Sequence, residues 1–221
     1  MWQKVLTDSQ IEILKNLPEE IKGHFVLGGG TCLNAFYIAH RKSDDLDFFE
    51  RNKLNISFSD LELSLKKKFN IQRSSKIFDR KIFQILDVKL EFVPCYFNRL
   101  NDVEKNYEFD IFLESINDIA ANKIIAMTDR QEIKDYVDIY FICKNKGINF
   151  MELLLLAKKK YNAAYEYLLN FDNLNEMKDD FEMIKFLDKE INFKNLLDFY
   201  NKCKVELEKY GIEKIWKNLE T

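Results

Sequence analysis

The spacing of apolar residues changes twice along the chain, and the changes mark its organisation. Thr7-Asp-Ser-Gln-Ile opens a first amphipathic helix. Ser9 or Asp8 is placed to cap it, and it is predicted to run to about Leu17, ahead of Pro18. Phe25-Val-Leu is a short apolar strand that stops at the Gly28–Gly30 turn. Thr31 to about His40 reads as helix, with its amino end directed back at the glycines. Leu46 to Phe49 is a second strand. Asp60 to Phe69 is a helix with Leu61, Leu65 and Phe69 on one face and Lys66 to Lys68 around the other.

The period then shortens. Ile71 to Arg80 and Lys81 to Val93 alternate as strands do. In Val88-Lys-Leu-Glu-Phe-Val, Lys89 and Glu91 point one way and Val88, Leu90 and Phe92 the other. Pro94 suits the strand's end. From Ser115 the pattern is helical. Ser115-Ile-Asn-Asp118 resembles a capping box with Asp in the Glu position. A helix is predicted to follow with a break near Asp129, and a continuation to end at Gly147, a residue at ease in the left-handed position past a helix end. Residues 150–221 are expected to form two to four further amphipathic helices. The fold class is α+β: a small mixed sheet flanked by helices over residues 1–112, then a carboxy-terminal helical bundle over 113–221.

Composition narrows the classes. Of 221 residues, 47% are apolar, enough for a real core, and the formal net charge is −3, so the chain as a whole is no polycation. Nucleic-acid binding therefore requires a local basic patch. Cys32, Cys95, Cys143 and Cys203 lie far apart without metal-ligand spacing, which predicts free thiols in a reducing cytoplasm. The amino end has no signal-peptide pattern, and no apolar run approaches the roughly 20 residues of a membrane helix. The expected location is cytoplasmic.

The chemistry concentrates in Leu27-Gly-Gly-Gly-Thr-Cys-Leu-Asn-Ala-Phe-Tyr-Ile-Ala-His-Arg-Lys-Ser-Asp-Asp-Leu-Asp-Phe-Phe-Glu50. Asp45 and Asp47 stand two apart, so on a strand both side chains share a face. Their repulsion is relieved by a divalent cation, and hard carboxylate oxygens suit magnesium, which also binds substrate phosphates. The glycines upstream let backbone amides approach a phosphate, and the helix dipole adds to anion binding. An isolated Asp-x-Asp is usually an ordinary pair of surface acids. The glycine turn and a third acid, Glu91, change that reading. Glu91 sits mid-strand among apolar residues, where a lone carboxylate is costly unless paired or metal-bound. Lys89, whose long stem reaches solvent, is not expected to be its sole partner. Three carboxylates beside a phosphate turn suit two-metal phosphoryl transfer.

These residues resemble the nucleotidyltransferase superfamily with the DNA polymerase β-type core, and within it the AbiEii/AbiGii-like abortive-infection toxin family. The first block is Gly29-Gly-Thr-Cys-Leu33 followed by Arg41-Lys-Ser-Asp-Asp-Leu-Asp-Phe-Phe49, with Cys32 where the family has alanine. The second is Asp118-Ile-Ala-Ala-Asn-Lys-Ile-Ile-Ala126, then Arg130, then Lys134-Asp-Tyr-Val-Asp138. The resemblance implies a phosphate turn at Gly29, Gly30 and Thr31, with Ser43 as a further phosphate ligand. It implies a catalytic metal set of Asp45, Asp47 and Glu91, the last a Glu and one methylene longer. Lys123, Asp135 and Asp138 are the implied nucleotide-binding residues of the helical part, which would complete the nucleotide site. The implied activity is magnesium-dependent transfer of a nucleoside monophosphate from an NTP to a hydroxyl, releasing pyrophosphate, with two ions. The implied acceptor is RNA, in particular the 3′ end of tRNA, and the implied partner is a cognate antitoxin. A protein side chain or a small molecule such as an antibiotic is the rival acceptor, and a nucleotide-binding regulator without turnover is the rival outside enzymes. Lys158, Lys159 and Lys160 read as a solvated helix face, with an RNA-backbone contact as the alternative. His24 and His40 read as structural.

Overall fold

The structure, a computed structural model, describes residues 1–51, 56–162, 169 and 171–219, with side chains described as far as residue 210. It divides into two compact units, Met1–Ile119 and Ala120–Thr221.

The first unit is a seven-stranded mixed sheet with helices. Helix α1 (Asp8–Asn16) begins one residue earlier than the caps read from the sequence: Thr7 is the N-cap, and it and Gln10 form a reciprocal capping box. Helix α2 (Glu19–His24) leads into strand β1 (Phe25–Gly28). Helix α3 (Gly29–Cys32) passes into a π-helical turn, Leu33–Tyr37, in which Ile38 N donates to Leu33 O at 3.0 Å. The helix expected to reach His40 is therefore shorter. Asn34 is the cause: its Nδ2 donates to Gly30 O at 2.9 Å, while its Oδ1 accepts from His40 N and Arg41 N at 3.2 and 2.9 Å. One buried amide thus folds the chain back toward the next strand. Strand β2 (Leu46–Glu50), helix α4 (Phe58–Lys66) and strands β3 (Arg73–Ile77), β4 (Arg80–Ile85) and β5 (Val88–Val93) follow. The run 81–93, predicted as one strand, is a hairpin. Its turn is Leu86-Asp87, both at positive φ (48° and 62°), with no Gly or Asn to signal it. Strands β6 (Glu104–Asn106) and β7 (Ile111–Leu113), each three residues, are too short to show a period.

The sheet order is β3-β4-β5-β2-β1-β7-β6. Strand β2 lies parallel to β5 and antiparallel to β1. One sheet face is an aromatic core. Phe92 packs against Phe25, Phe48 and Phe83 with ring centroids 4.9, 5.0 and 5.8 Å away, and Phe58 of α4 stacks on Phe83 at 5.3 Å. Leu61 and Leu65 of α4 are buried, as the period-four stripe requires. Burying each such side chain contributes about 1.5–3 kcal/mol. This leaves the other face to carry the polar positions of β2, β4 and β5.

In the chain's second half, helix α5 (Ile116–Asp129) starts at a Ser115 cap. Ser115 Oγ accepts from Asp118 N at 3.1 Å, and the Asp118 carboxylate accepts from Leu100 N and Asn101 N at 2.9 and 3.2 Å. Helix α6 (Ile133–Lys146) ends on Gly147 at φ 66°. Helices α7 (Phe150–Tyr161), α8 (Lys178–Glu182) and α9 (Phe193–Leu219) complete the described α-helices, and short 3-10 turns lie at Trp2–Lys4 and Asp172–Met177. Expectations that fall on residues 163–168, 170, 220 and 221 lie outside the described residues. Tyr200 is the core of this unit. It is buried against Tyr136, Phe150 and Phe171, and its hydroxyl donates to Tyr136 O at 2.8 Å. All four cysteines are free thiols, and no described helix is long and apolar enough to cross a membrane.

Candidate active site

Backbone register sets the site. Gly28 of β1 lies opposite Asp47 of β2, and Asp47 lies beside Glu91 of β5. Directly paired residues project to the same face, so Asp47 and Glu91 stand side by side on the polar face of the sheet. Asp45 is one step ahead of β2. The segment that carries it is tied down from two directions. Gln10, fully buried in α1, donates from Nε2 to Ser43 O at 2.9 Å and Asp44 O at 3.0 Å. The Thr31 hydroxyl donates to Asp45 O. Thr31 is also fully buried, so what the structure shows of it is a brace beneath the acid pair rather than an exposed phosphate ligand.

The glycines turn out to be demanded by side chains as well as by backbone. Gly29 has φ +65°, and a Cβ there would meet Asp47 Oδ2 at 2.0 Å. A Cβ on Gly30 would meet Arg41 Nη2 at 2.8 Å and Ser43 Oγ at 3.0 Å. The turn is therefore drawn against the second acid at one glycine and against Arg41 and Ser43 at the next. Ser43 and a guanidinium thus gather beside the turn, an arrangement suited to a planar or tetrahedral oxyanion.

Positive charge threads the acid row. Lys89 Nζ is 2.9 Å from Asp45 Oδ2 and 3.6 Å from Glu91 Oε2, and Arg80 Nη1 is 3.2 Å from Glu91 Oε1. Burial pulls the Lys89 ammonium down, but Asp45, Glu91 and Asp47 outweigh it and hold its pKa above the ordinary value. The expectation that Lys89 could not be Glu91's only partner is met by Arg80, which shares the task. Among the described residues, no group of three His, Cys, Asp or Glu converges closely enough to hold an ion as it stands. The donors are nonetheless of the right kind, carboxylate oxygens on adjoining strands. Lys89 is a long, 38%-exposed side chain that can leave Asp45 for solvent at little cost.

Within the helical part, Lys123 of α5 reaches α6. Its Nζ is 2.7 Å from both Asp135 Oδ1 and Asp138 Oδ2, and Arg130 Nε is 2.8 Å from Asp135 Oδ2. Both carboxylates are fully buried and Lys123 is nearly so. Burial pushes the Asp135 carboxyl up, yet Lys123 and Arg130 overcome it and hold its pKa below the usual range. The three residues read as nucleotide-binding are thus brought together, but as a closed ion network. To reach a phosphate, Lys123 must first part from its carboxylates.

Four residues gained significance only in three dimensions. Arg41, 5% exposed, stood inside the first motif without a role. From the sequence Lys89 enters only as a partner of Glu91, without its contact to Asp45, and Arg80 only as an alternating strand residue. Glu114, 2% exposed, places Oε2 2.5 Å from where a Cβ on Gly28 would be. Its one signal was an acid directly after the apolar Ile111-Phe-Leu run.

A protein of Aquifex aeolicus (strain VF5) described as "Uncharacterized protein aq_aa25" is 33% identical over 137 residues, covering 62% of this chain and 66% of that one. The chain therefore matches just under two thirds of that relative's length. Among solved structures, JHP933 from Helicobacter pylori superposes with a TM-score of 0.56 at 19% identity, covering 95% of this chain and 93% of that one. The antibiotic-resistance factor ANT(2'')-Ia superposes at 0.52 with 13% identity, covering 73% and 96%. At these identities the likeness is one of fold. The family model described as "Nucleotidyl transferase AbiEii toxin, Type IV TA system" matches residues 13–202. That span takes in the glycine turn, the acid row and the Lys123 network, and the chain belongs to the AbiEii family of nucleotidyltransferase enzymes.

Proposed function

We propose that this chain moves a nucleoside monophosphate from an NTP to an acceptor hydroxyl and releases pyrophosphate. RNA is the acceptor, with the 3′ end of tRNA as the specific form the family resemblance implies, and the setting is toxicity restrained by a cognate antitoxin. The observation that carries the reading is the cross-strand row Gly28–Asp47–Glu91, with the glycine turn at one end and two adjacent carboxylates at the other. Asp45, Asp47 and Glu91 would hold magnesium. When bound, the metal would supply Lewis-acid stabilisation of charge on the transferring phosphoryl group. Gly29 and Gly30 admit the triphosphate to the backbone amides, and Arg41 and Ser43 flank it. Glu91, the acid farthest from the glycine turn along the row, orients the incoming hydroxyl and accepts its proton. Lys89 gives charge balance to the acids before substrate arrives. Lys123, Asp135 and Asp138 are the helical unit's candidates for nucleotide contact.

Gly29→Ala tests the turn. The new Cβ meets the Asp47 carboxylate, and the left-handed backbone costs about 1–2 kcal/mol in any L-residue other than Asn or Asp. A lower melting temperature and weaker binding of a non-hydrolysable NTP are expected. A variant that melts and binds NTP as wild type does contradicts this role for Gly29.

The acceptor is tested by incubating the protein with each labelled NTP, magnesium and total cellular RNA or total protein, then separating the products on a gel. Label in an RNA band supports the reading. Label confined to protein, or to a small molecule, keeps the chemistry and replaces the acceptor.

A further inference from the structure

We propose that the exposed face of β4 and β3, with the hairpin tip between them, is the track that carries the single-stranded end of a nucleic-acid acceptor to Glu91. This deepens the nucleotidyl-transfer reading and rests on it.

In phosphoryl transfer the attacking and leaving oxygens lie roughly in line on opposite sides of the phosphorus. The glycine turn follows β1, so the leaving pyrophosphate is held on the β1 side of Asp47. The attacking hydroxyl must then come from the opposite side, across β5 toward β4 and β3. The register shows what lies there. Glu91 is paired with Ile82 of β4, and Ile82 with Ser75 of β3. Gly28, Asp47, Glu91, Ile82 and Ser75 thus form one row across five strands. Adjacent strands lie about 4.8 Å apart, so the row extends about 14 Å beyond Asp47. Lys89 is paired with Gln84, and Gln84 with Arg73, which places a guanidinium beside the row at its outer edge. Arg80, opposite Ile77, lies on its other side and already touches Glu91.

This face is open. Every residue of β3 is exposed, and the Arg80 side chain is 63% exposed. On the reverse face β4 is closed, since Phe83 is buried beneath Phe58, while Ser74 of β3, itself exposed, donates to Glu62 of α4. At the tip, Phe78 is 93% exposed and Ile77 52%, while Tyr96 is 59% exposed on the segment after β5. The Tyr96 hydroxyl donates to Asp79, which braces that segment against the hairpin turn. A single exposed ring is ordinary, but here Phe78 and Ile77 sit at one hairpin tip with Tyr96 held to the same turn through Asp79, and the strands that meet there carry the exposed Arg73 and Arg80. Rings that stack with bases, set among guanidiniums that meet phosphates, are the combination that holds single-stranded nucleic acid without sequence preference.

Fluorescence anisotropy of a short labelled single-stranded oligoribonucleotide with a free 3′ hydroxyl tests the track, using the full chain, Phe78→Ala and Arg73→Ala. Both positions are exposed, so both variants should melt as wild type does and bind a non-hydrolysable NTP unchanged. Loss of one stacked ring should weaken RNA binding about five- to 150-fold. Loss of one phosphate contact should lower the slope of log affinity against log salt by about 0.7. Unchanged RNA affinity and salt slope in both variants would overturn the proposal. So would a wild-type chain that binds NTP but no single-stranded RNA, which leaves nucleotidyl transfer to another acceptor intact. A third contrary result is a wild-type dimer that Phe78→Ala dissociates without change in RNA binding, making the hairpin a contact between copies. Failure of the parent reading looks different, since the wild-type chain would then bind no NTP.

Discussion

Asp47→Asn is expected to abolish nucleotidyl transfer while the protein stays folded. Asp47 is the middle of the row, against Gly29 on one side and Glu91 on the other. The substitution keeps the volume that the glycine turn accommodates and removes the charge. A carboxylate that holds a catalytic metal contributes several kcal/mol to the transition state, so the rate should fall on the order of 10³-fold or more. Stability should not fall with it, because Asp45, Asp47 and Glu91 share one end of the sheet and removing one negative charge relieves their repulsion. Transfer measured with labelled NTP beside a thermal melt separates the two effects. A variant that transfers at near wild-type rate would remove Asp47 from the chemistry.

Lys123→Met is expected to have the largest effect on stability. It leaves Asp138 and part of Asp135 buried without their ammonium, and breaking a buried pair from one side costs about 3–5 kcal/mol. For a chain of this size, that lowers the melting temperature by roughly 10 °C. Replacing Lys123 and Asp138 together by apolar residues should recover much of the loss, since no uncompensated charge then remains at that position. The network also sets an acid limit. The Asp135 pKa is depressed in the folded chain, so its contribution is complete above the unfolded value, about 3.9, and is lost as pH falls through the folded value. Lys123→Met should flatten that acid-side decline. A Lys123→Met protein that melts within about 1 °C of wild type would show that the pair contributes nothing net.

The parts of this molecule that could be read from residues are those set by local chemistry. The glycine turn, the spacing of Asp45 and Asp47, the alternation around Glu91 and the Gly147 helix end each follow from a neighbour or two. What escaped reading depended on contacts between distant segments. Asn34 shortens a helix through bonds to Gly30, His40 and Arg41. The Leu86-Asp87 turn carries no Gly or Asn and only Asp87 hints at it, while Phe83 and Phe92 on the two strands it joins are in ring contact. Lys89 reaches Asp45 only when β5 pairs with β2, and Arg80 reaches Glu91 only when β4 pairs with β5. Lys123 and Asp135 were visible as a motif, but their burial and mutual pairing required α5 and α6 to fold together. Sequence thus singled out Asp45, Asp47, Glu91 and Lys123 as candidates and left open which side chains would face them.

The most direct test of the Gly28–Asp47–Glu91 row as a transfer site is stoichiometry. Wild-type protein is incubated with labelled NTP, magnesium and cellular RNA, and pyrophosphate released is measured against label transferred, with Asp47→Asn and a chelator as controls. The account predicts equal amounts of the two products, both lost in the variant and on removing the metal. Pyrophosphate and transferred label that persist in Asp47→Asn at the wild-type level would contradict it.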